Sequence, residues 1–537
     1  MMKKTVLFLL FFISIPSFSQ EDAWVYFTNK PNAQYFLDNP LQMLTSRALL
    51  RRSNQNIPLT LNDVPVHQPY IDQVDAIPGI VVMAKSKWLN CVHVRGALSD
   101  IQSLTSLSFV SSIYYANLSL NSRISTPVSE SFFSKKLETE ITYSYGNSAN
   151  QIQMLNGHLL HQSDFVGTGK MIAVLDSGFL NANTILPLQN LYTNNLVLGG
   201  YNYVSGSTDV YALDSHGTMV LSCMGGKVDG QLIGTAPNAQ YYLFVTEDVL
   251  NENPVEESYW VEAAEEADRL GVDIITSSLG YFGYDNPNYS YSYSDMTGNK
   301  AFASKGANIA FSKGMIVVAS AGNSGASTTA PHIRVPAEAT HVLAVGAVQP
   351  DENYATFSSI GPSFDNRVKP DVMAQGQSVV LSNTSGQIVS GNGTSFSCPI
   401  MAGTIASFWQ AVPSLTNQQV IDFVKQSADK YSNPNSQYGY GIPDFQLALN
   451  NVLLYINSLQ KEFKVYPNPA SDAFFVHYNA SHLQLKIAVY NGLGQLVMEK
   501  NGYVSDEEIA LSNLQSGIYY YTIASNTSFQ SGLLLKK

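Results

Sequence analysis

Gly393-Thr394-Ser395-Phe396-Ser397-Cys398-Pro399 leads straight into an apolar, helix-like run from Pro399 to Trp409. Proline suits the first turn of a helix, where its missing N–H would be unpaired anyway. That predicts a helix N-terminus at Ser395, where free backbone N–H groups and the positive end of the dipole stabilise nearby negative charge. A hydroxyl that attacks a carbonyl creates an oxyanion and needs such a place. Gly-Thr-Ser is also an ordinary helix cap. The stretch therefore gains meaning only if the chain also supplies a base, an acid to orient it and a second oxyanion donor.

On either side of it, from about 150 to 455, apolar runs alternate with helical stretches. Met171–Leu175, Tyr241–Val245, Asp273–Thr276, Met315–Ala319 and His341–Val348 are short, rich in Val, Ile and Leu, and bounded by turn residues. They read as strands buried on both faces of a parallel sheet. Val255 to Leu270 reads as a helix with acids in its first turn and Gly271 just past its end; Lys300 to Lys313 reads as another, stopping at Gly314. The alternation predicts a three-layer α/β domain, whose ligands bind beyond the C-terminal ends of the strands.

The residues at those ends carry the chemistry. Asp176 ends the first strand, in Leu175-Asp176-Ser177-Gly178, and a poorly solvated acid there wants a partner such as His. His216 lies in Asp214-Ser215-His216-Gly217-Thr218, before the helical run Met219 to Met224. A helix start disfavours the imidazolium, which predicts a neutral ring able to act as a base. Asn323, in Ala321-Gly322-Asn323-Ser324-Gly325, follows a strand and offers a side-chain amide to an oxyanion. Ser278-Leu279-Gly280 ends another strand, and its extended backbone suits pairing with a peptide. Singly, each has a plainer reading as a turn or cap residue.

Together, in the order Asp, His, Asn, Ser, these motifs resemble those of the subtilisin-like serine proteases, for which Asp before His before Ser is the known chain order. The resemblance spans roughly residues 150 to 455 and adds Phe357-Ser358-Ser359-Ile360-Gly361-Pro362 and Lys369-Pro370-Asp371-Val372. It implies a serine endopeptidase working through an acyl-enzyme. Asp176 would orient His216, His216 would deprotonate Ser395, and Asn323 with the Ser395 N–H would hold the oxyanion. Ser278, Leu279 and Gly280 would line the substrate cleft. Ser397 is the rival hydroxyl; the resemblance and the position after Gly-Thr favour Ser395. The alternative from another class is a catalytically silent surface binding protein on the same scaffold, yet no essential motif residue is missing.

No cofactor is expected. The resemblance leaves structural Ca²⁺ open, with Asp285 to Asp295 as a loop for it, poor in charged ligands. His158 and His161 lack a neighbouring Cys or acid to complete a zinc set. Gly167-Thr168-Gly169-Lys170 is followed by Met171 and a strand, unlike a phosphate-binding loop.

The 537 residues carry a net charge of −12 with only 13% charged residues, which excludes broad affinity for nucleic acid or anionic lipid. Cys91, Cys223 and Cys398 are too few for a disulfide scaffold; Cys223 and Cys398 read as buried, with a bridge between them left open. Lys3-Lys4, an apolar run to Ile15 and Ser17-Phe18-Ser19 predict a secretory signal over residues 1–19. Residues 20–120 follow a β-α-β-β-α-β order, a split βαβ sandwich. They are similar to the inhibitory propeptides of this protease class; a retained binding module is the other reading. Residues 121–150 read as an exposed connector, 151–455 as the peptidase domain, and 460–537 as a small all-β sandwich. Val465-Tyr466-Pro467-Asn468-Pro469-Ala470 and Gly517-Ile518-Tyr519-Tyr520 are similar to the sorting domains of the Bacteroidetes type IX secretion system, against a plain adhesion sandwich. The implied partners are protein or peptide substrates, the chain's own propeptide and that secretion machinery, and the implied location is extracellular, secreted or at the cell surface.

Overall fold

Residues 20–121 form an antiparallel sheet carrying helices on one face, with the expected alternation but more than one helix between the first two strands. The elements are β1 (Gln20–Phe27), α1 (Ser46–Asn54), α2 (Gln68–Asp75), β2 (Ile80–Ser86), β3 (Cys91–Ala97), α3 (Leu98–Ser103) and β4 (Val110–Tyr115). The strand order is β2-β3-β1-β4. This computed structural model describes residues 20–121, 143–459, 463–478, 485–492, 494–525 and 529–537. The expected signal at 1–19 and most of the expected connector lie outside the described residues; within the connector, Tyr145 and Ser148 are buried.

The first of these helices in the chain, α1, is not the one that packs on this sheet. The helix that packs there is α2, which sequence reading passes over because Pro69 opens it and only Ile71 and Val74 mark its apolar face. Proline near a helix start is compatible with the fold, so Pro69 punctuates without breaking.

The central domain contains β5 (Met171–Asp176), β6 (Val197–Asn202), α4 (His216–Gly225), β7 (Gln240–Val245), α5 (Val255–Leu270), β8 (Ile274–Ser277), α6 (Phe302–Ser312), β9 (Ile316–Ser320), β10 (Val342–Val348), β11 (Val372–Gln375) and α7 (Thr394–Ala411). Its seven strands run parallel in the order β11-β10-β9-β8-β5-β7-β6. Every residue of β8, β9 and β10 is buried, because helices cover both faces. The two strands not foreseen lie at the sheet edges. β6 is interrupted by Gly199-Gly200, and β11 has four residues, so neither presents a long apolar run. Gly271 and Gly314 close α5 and α6 with φ of +87° and +90°, as the helix stops predicted.

Residues 20–121 sit on α5 and α6. Alternation in β1 serves both sides: Ala23, Val25 and Phe27 meet α2 and α3, while Trp24 faces the other way. The Trp24 ring stacks on Phe302 at 4.9 Å, and its indole N–H donates to Ser258 at 2.8 Å. Glu265 of α5 accepts from Ser86 Oγ, Lys87 N and Trp88 N at 2.6–3.0 Å. Helix α1 instead reaches the C-terminal end of α5. Arg51 and Arg52 both donate to Asp268, at 2.5 and 2.7 Å, and Arg52 also to Asp63 at 2.9 Å; all four side chains are buried.

The C-terminal unit, Asn451–Lys537, holds its own core. Its strands are β12 (Lys464–Tyr466), β13 (Ala473–His477), β14 (Leu485–Tyr490), β15 (Leu496–Tyr503), β16 (Ile509–Ala510), β17 (Gly517–Ala524) and β18 (Phe529–Lys536). They make a three-stranded sheet, β12-β13-β16, and a four-stranded one, β15-β14-β17-β18. The Asn491-Gly492 turn joins β14 to β15 as an antiparallel hairpin.

Candidate active site

Three strand ends and two helix starts converge at the C-terminal edge of the parallel sheet. Asp176 is the last residue of β5 and fully buried. His216 opens α4, and its Nδ1 donates to Asp176 Oδ1 at 2.7 Å. Asp176 Oδ1 also accepts from Ser177 N at 2.9 Å, which fixes the carboxylate. The approach of α4 needs Gly217: a Cβ there would lie 2.5 Å from the Gly178 carbonyl and 3.0 Å from Asp176 Cβ.

The imidazole differs from the expectation in its charge balance. Burial alone would lower the His216 pKa, and a helix start would act the same way. The Asp176 carboxylate outweighs both, with help from Asp214 and Glu247, so the pKa is raised above 6.5. Asp214 accepts from the His216 N–H at 2.7 Å, and Glu247 stands just past β7, where Thr246 N donates to the Asp176 carbonyl at 3.1 Å. Sequence reading quoted Asp214 only as a neighbour and missed Glu247. Burial raises the Glu247 pKa to about 7, against hydrogen bonds from Thr246 Oγ1 and Tyr281 Oη.

Ser395 is the second residue of α7, behind an N-cap at Gly393. The helix begins earlier than its proline suggested, so Pro399 lies inside it rather than in its first turn. A residue there without an N–H leaves the carbonyl four positions back, that of Ser395, without its helical partner. Ser278 Oγ takes that bond, donating to Ser395 O at 2.9 Å. The Ser395 hydroxyl in turn donates to Ser278 O at 3.4 Å. Proline in the helix thus ties the 278–280 segment to Ser395. Ser278 is buried, Leu279 half-buried and Gly280 exposed.

Asn323 spans the gap from β9 to α7. Its Oδ1 accepts from Thr394 N and from Thr394 Oγ1, both at 2.9 Å. Those bonds cap the helix and identify the remaining atom, Nδ2, as a donor. A Cβ built on Gly393, whose φ is +152°, would stand 3.7 Å from Asn323 Nδ2 and 3.7 Å from Ser395 N. Two N–H donors therefore flank one open point beside Ser395, and glycine at 393 keeps it clear. An oxyanion formed at Ser395 and drawn closer to the two donors than that point would meet both.

Ser397 is buried and donates to the Thr394 carbonyl at 3.1 Å, a back-bond within the helix. Cys91, Cys223 and Cys398 are free and buried, and no Cys223–Cys398 bridge forms. Burial pushes the Cys398 thiol up to about 12, the reverse of an activated nucleophile. His161 is held between Tyr145 Oη and the Thr235 carbonyl. In the loop considered for Ca²⁺, Asp295 accepts from Ser292 N and pairs with Lys300, while Asp285 accepts from Glu252 N.

Comparison with known proteins decides the lineage. The subtilase family model matches residues 167–441. The chain belongs to the subtilase family. Subtilisin NAT of Bacillus subtilis subsp. natto is 30% identical to it over 58% of this chain and 74% of that protein. Subtilisin DY of Bacillus licheniformis is 30% identical over 55% of this chain and 97% of that one. The crystal structure of MycP1 from the ESX-1 type VII secretion system is similar over 59% of this chain and 89% of its own, at 21% identity and a TM-score of 0.45. The subtilase is accordingly a serine-type endopeptidase. Residues 22–131 match the S8 propeptide domain of Bacteroidota, which makes the sheet on α5 and α6 its propeptide. Residues 464–537 match the secretion system C-terminal sorting domain, so the subtilase is exported, to the medium or the cell surface. Among the described residues no helix is long and apolar enough to cross a membrane.

Proposed function

We propose that this exported subtilase cleaves internal peptide bonds of protein substrates through an acyl-enzyme on Ser395. His216 Nε2 takes the Ser395 proton as Oγ attacks the scissile carbonyl carbon. To do so the hydroxyl turns from its long bond to Ser278 O. The carbonyl oxygen becomes an oxyanion between Asn323 Nδ2 and Ser395 N. On collapse, His216 returns the proton to the departing amine, and the acyl group stays on Oγ. Water then attacks the ester, with His216 as base again, and frees Ser395. Asp176 holds the ring with Nδ1–H toward itself, leaving Nε2 as the lone-pair nitrogen. The Ser278–Gly280 backbone pairs with the substrate strand. Residues 20–121 hold the chain as a zymogen until cut, and the C-terminal unit serves export.

The observation that carries this reading is the 2.7 Å bond from His216 to Asp176, at the same sheet edge as the Asn323–Thr394 tie to the Ser395 helix. A silent binding protein finds no support, because none of the residues such a protein loses is changed. The processed protein is expected to label with a fluorophosphonate and to cleave casein, and Ser395→Ala to lose both. Casein cleavage by Ser395→Ala would end the proposal.

A further inference from the structure

The two segments that flank the scissile bond in this reading end in a slot walled by glycine. β8 and β9 pair in parallel as far as Ser277 with Ala319. Equally far beyond that pair stand Gly280 and Gly322, neither with a side chain to fill the space between them. One side chain lies against both. A Cβ built on Gly280 would meet Arg334 Cβ at 3.5 Å and Cδ at 3.6 Å; one on Gly322 would meet Ser359 Oγ at 2.9 Å and then Arg334 Cγ and Cδ at 3.5 Å.

Arg334 is fixed there by its backbone. Tyr281 and Val335 exchange N–H···O bonds at 2.9 and 3.2 Å, so the strand bearing Arg334 runs antiparallel beside residue 281. The Val335 side chain is buried, and Arg334 is half-buried. The guanidinium donates to Ser324 Oγ at 2.5 Å and lies 5.7 Å from the centre of the Phe282 ring. Both partners are neutral. Among the described residues no carboxylate forms an ion pair with Arg334; Glu252 acts on it only at longer range. Burial lowers its pKa, as expected of a desolvated cation short of a counter-ion.

The geometry points to Arg334 as the residue that selects an acidic side chain, Glu or Asp, at the substrate position immediately before the scissile bond. The inference rests on the proposed peptidase site. An acyl carbon held between Ser395 Oγ and the two N–H donors, on a strand paired with residues 278–280, places its own side chain toward the Gly280–Gly322 slot. A carboxylate entering the slot meets a guanidinium able to bind it through two N–H groups at once. A Lys or Arg side chain meets like charge there. A bulky apolar side chain finds the slot partly filled by the Arg334 stem. No other cation is needed, and the net charge of −12 offers acidic substrates no broad attraction, so the preference is local to the slot.

The test uses the secreted, processed enzyme and succinyl-Ala-Ala-Pro-Xaa-p-nitroanilides with Glu, Gln, Leu and Lys at the last position. Gln matches Glu in size without its charge. The expected kcat/KM favours Glu over Gln by about 10- to 100-fold, the scale of a hydrogen bond to a charged group. It favours Glu over Lys by more, and the ratios shrink as salt is raised. Arg334→Gln brings the Glu/Gln ratio near one, and Arg334→Glu turns the order toward Lys. Should either variant fail to fold, the wild-type Glu/Gln ratio still decides. An enzyme that labels with a fluorophosphonate but cleaves Gln or Lys peptides as well as Glu keeps the peptidase site and loses the inference. An enzyme that neither labels nor cleaves any peptide of the set loses both.

Discussion

In the proposed mechanism Asn323 performs two tasks through two atoms, and substitution can separate them. Its Oδ1 accepts from Thr394 N and Oγ1 and so caps α7; its Nδ2 faces the point shared with Ser395 N. Asn323→Ala removes both. The lost donor costs about 2.7–4 kcal/mol of transition-state stabilisation, roughly 10²–10³ in kcat, a range known from subtilisin itself. The lost cap costs about 0.5–2 kcal/mol of folding stability. Asn323→Asp keeps an acceptor for Thr394 and deletes only the donor, placing a carboxylate where the oxyanion forms. Its kcat is expected to fall at least as far as that of Asn323→Ala, with folding stability nearer the wild type. KM should change little in either, because the donor acts on charge that exists only in the transition state. Active-site titration with a fluorophosphonate, saturation kinetics on a p-nitroanilide, and urea unfolding give the three numbers. A kcat for Asn323→Asp within about threefold of wild type would refute the assignment of Nδ2 to the oxyanion.

Because the His216 pKa is raised and the proposed mechanism needs its base form, kcat/KM should fall as pH drops through a midpoint above 6.5. Asp214→Asn, which removes one of the raising carboxylates, should move the midpoint down; a wild-type midpoint at or below 6.5 contradicts the charge balance described. Ser278→Ala leaves the Ser395 carbonyl without its partner and should cost about 1–3 kcal/mol in urea unfolding. Adding Pro399→Ala restores an N–H four residues on and should recover part of that loss; no recovery would mean the bond has another role. Asp268→Ala strands Arg51 and Arg52 without their shared buried carboxylate, at about 3–5 kcal/mol. In a Ser395→Ala background the propeptide should then be cut away faster by an added protease, and an unchanged rate would show that α1 does not help hold it.

The sequence by itself settled the layers and which residues stand at the element edges. Buried parallel strands have to be apolar runs, and helices covering both faces have to stop at residues such as Gly271 and Gly314. Strand ends and helix starts could therefore be read, and with them Asp176, His216, Asn323 and Ser395. The edge strand Val197–Asn202 and the helix Gln68–Asp75 escaped because neither needs a long apolar pattern. What the tertiary structure alone decided are meetings between atoms far apart in the chain. Pro399 looked like a first-turn proline, until the fold brought Ser278 across 117 residues to take the carbonyl it freed. Asn323 could be read as an amide for an oxyanion, but its tie to Thr394 through Oδ1 appeared only in the fold. The His216 charge balance depends on carboxylates from three separate segments, and Arg334 acquires meaning only between two glycines of neighbouring strands. Local sequence fixes which groups stand at the edges of elements; electrostatics and hydrogen-bond pairing depend on distances through space, which only the packed fold defines.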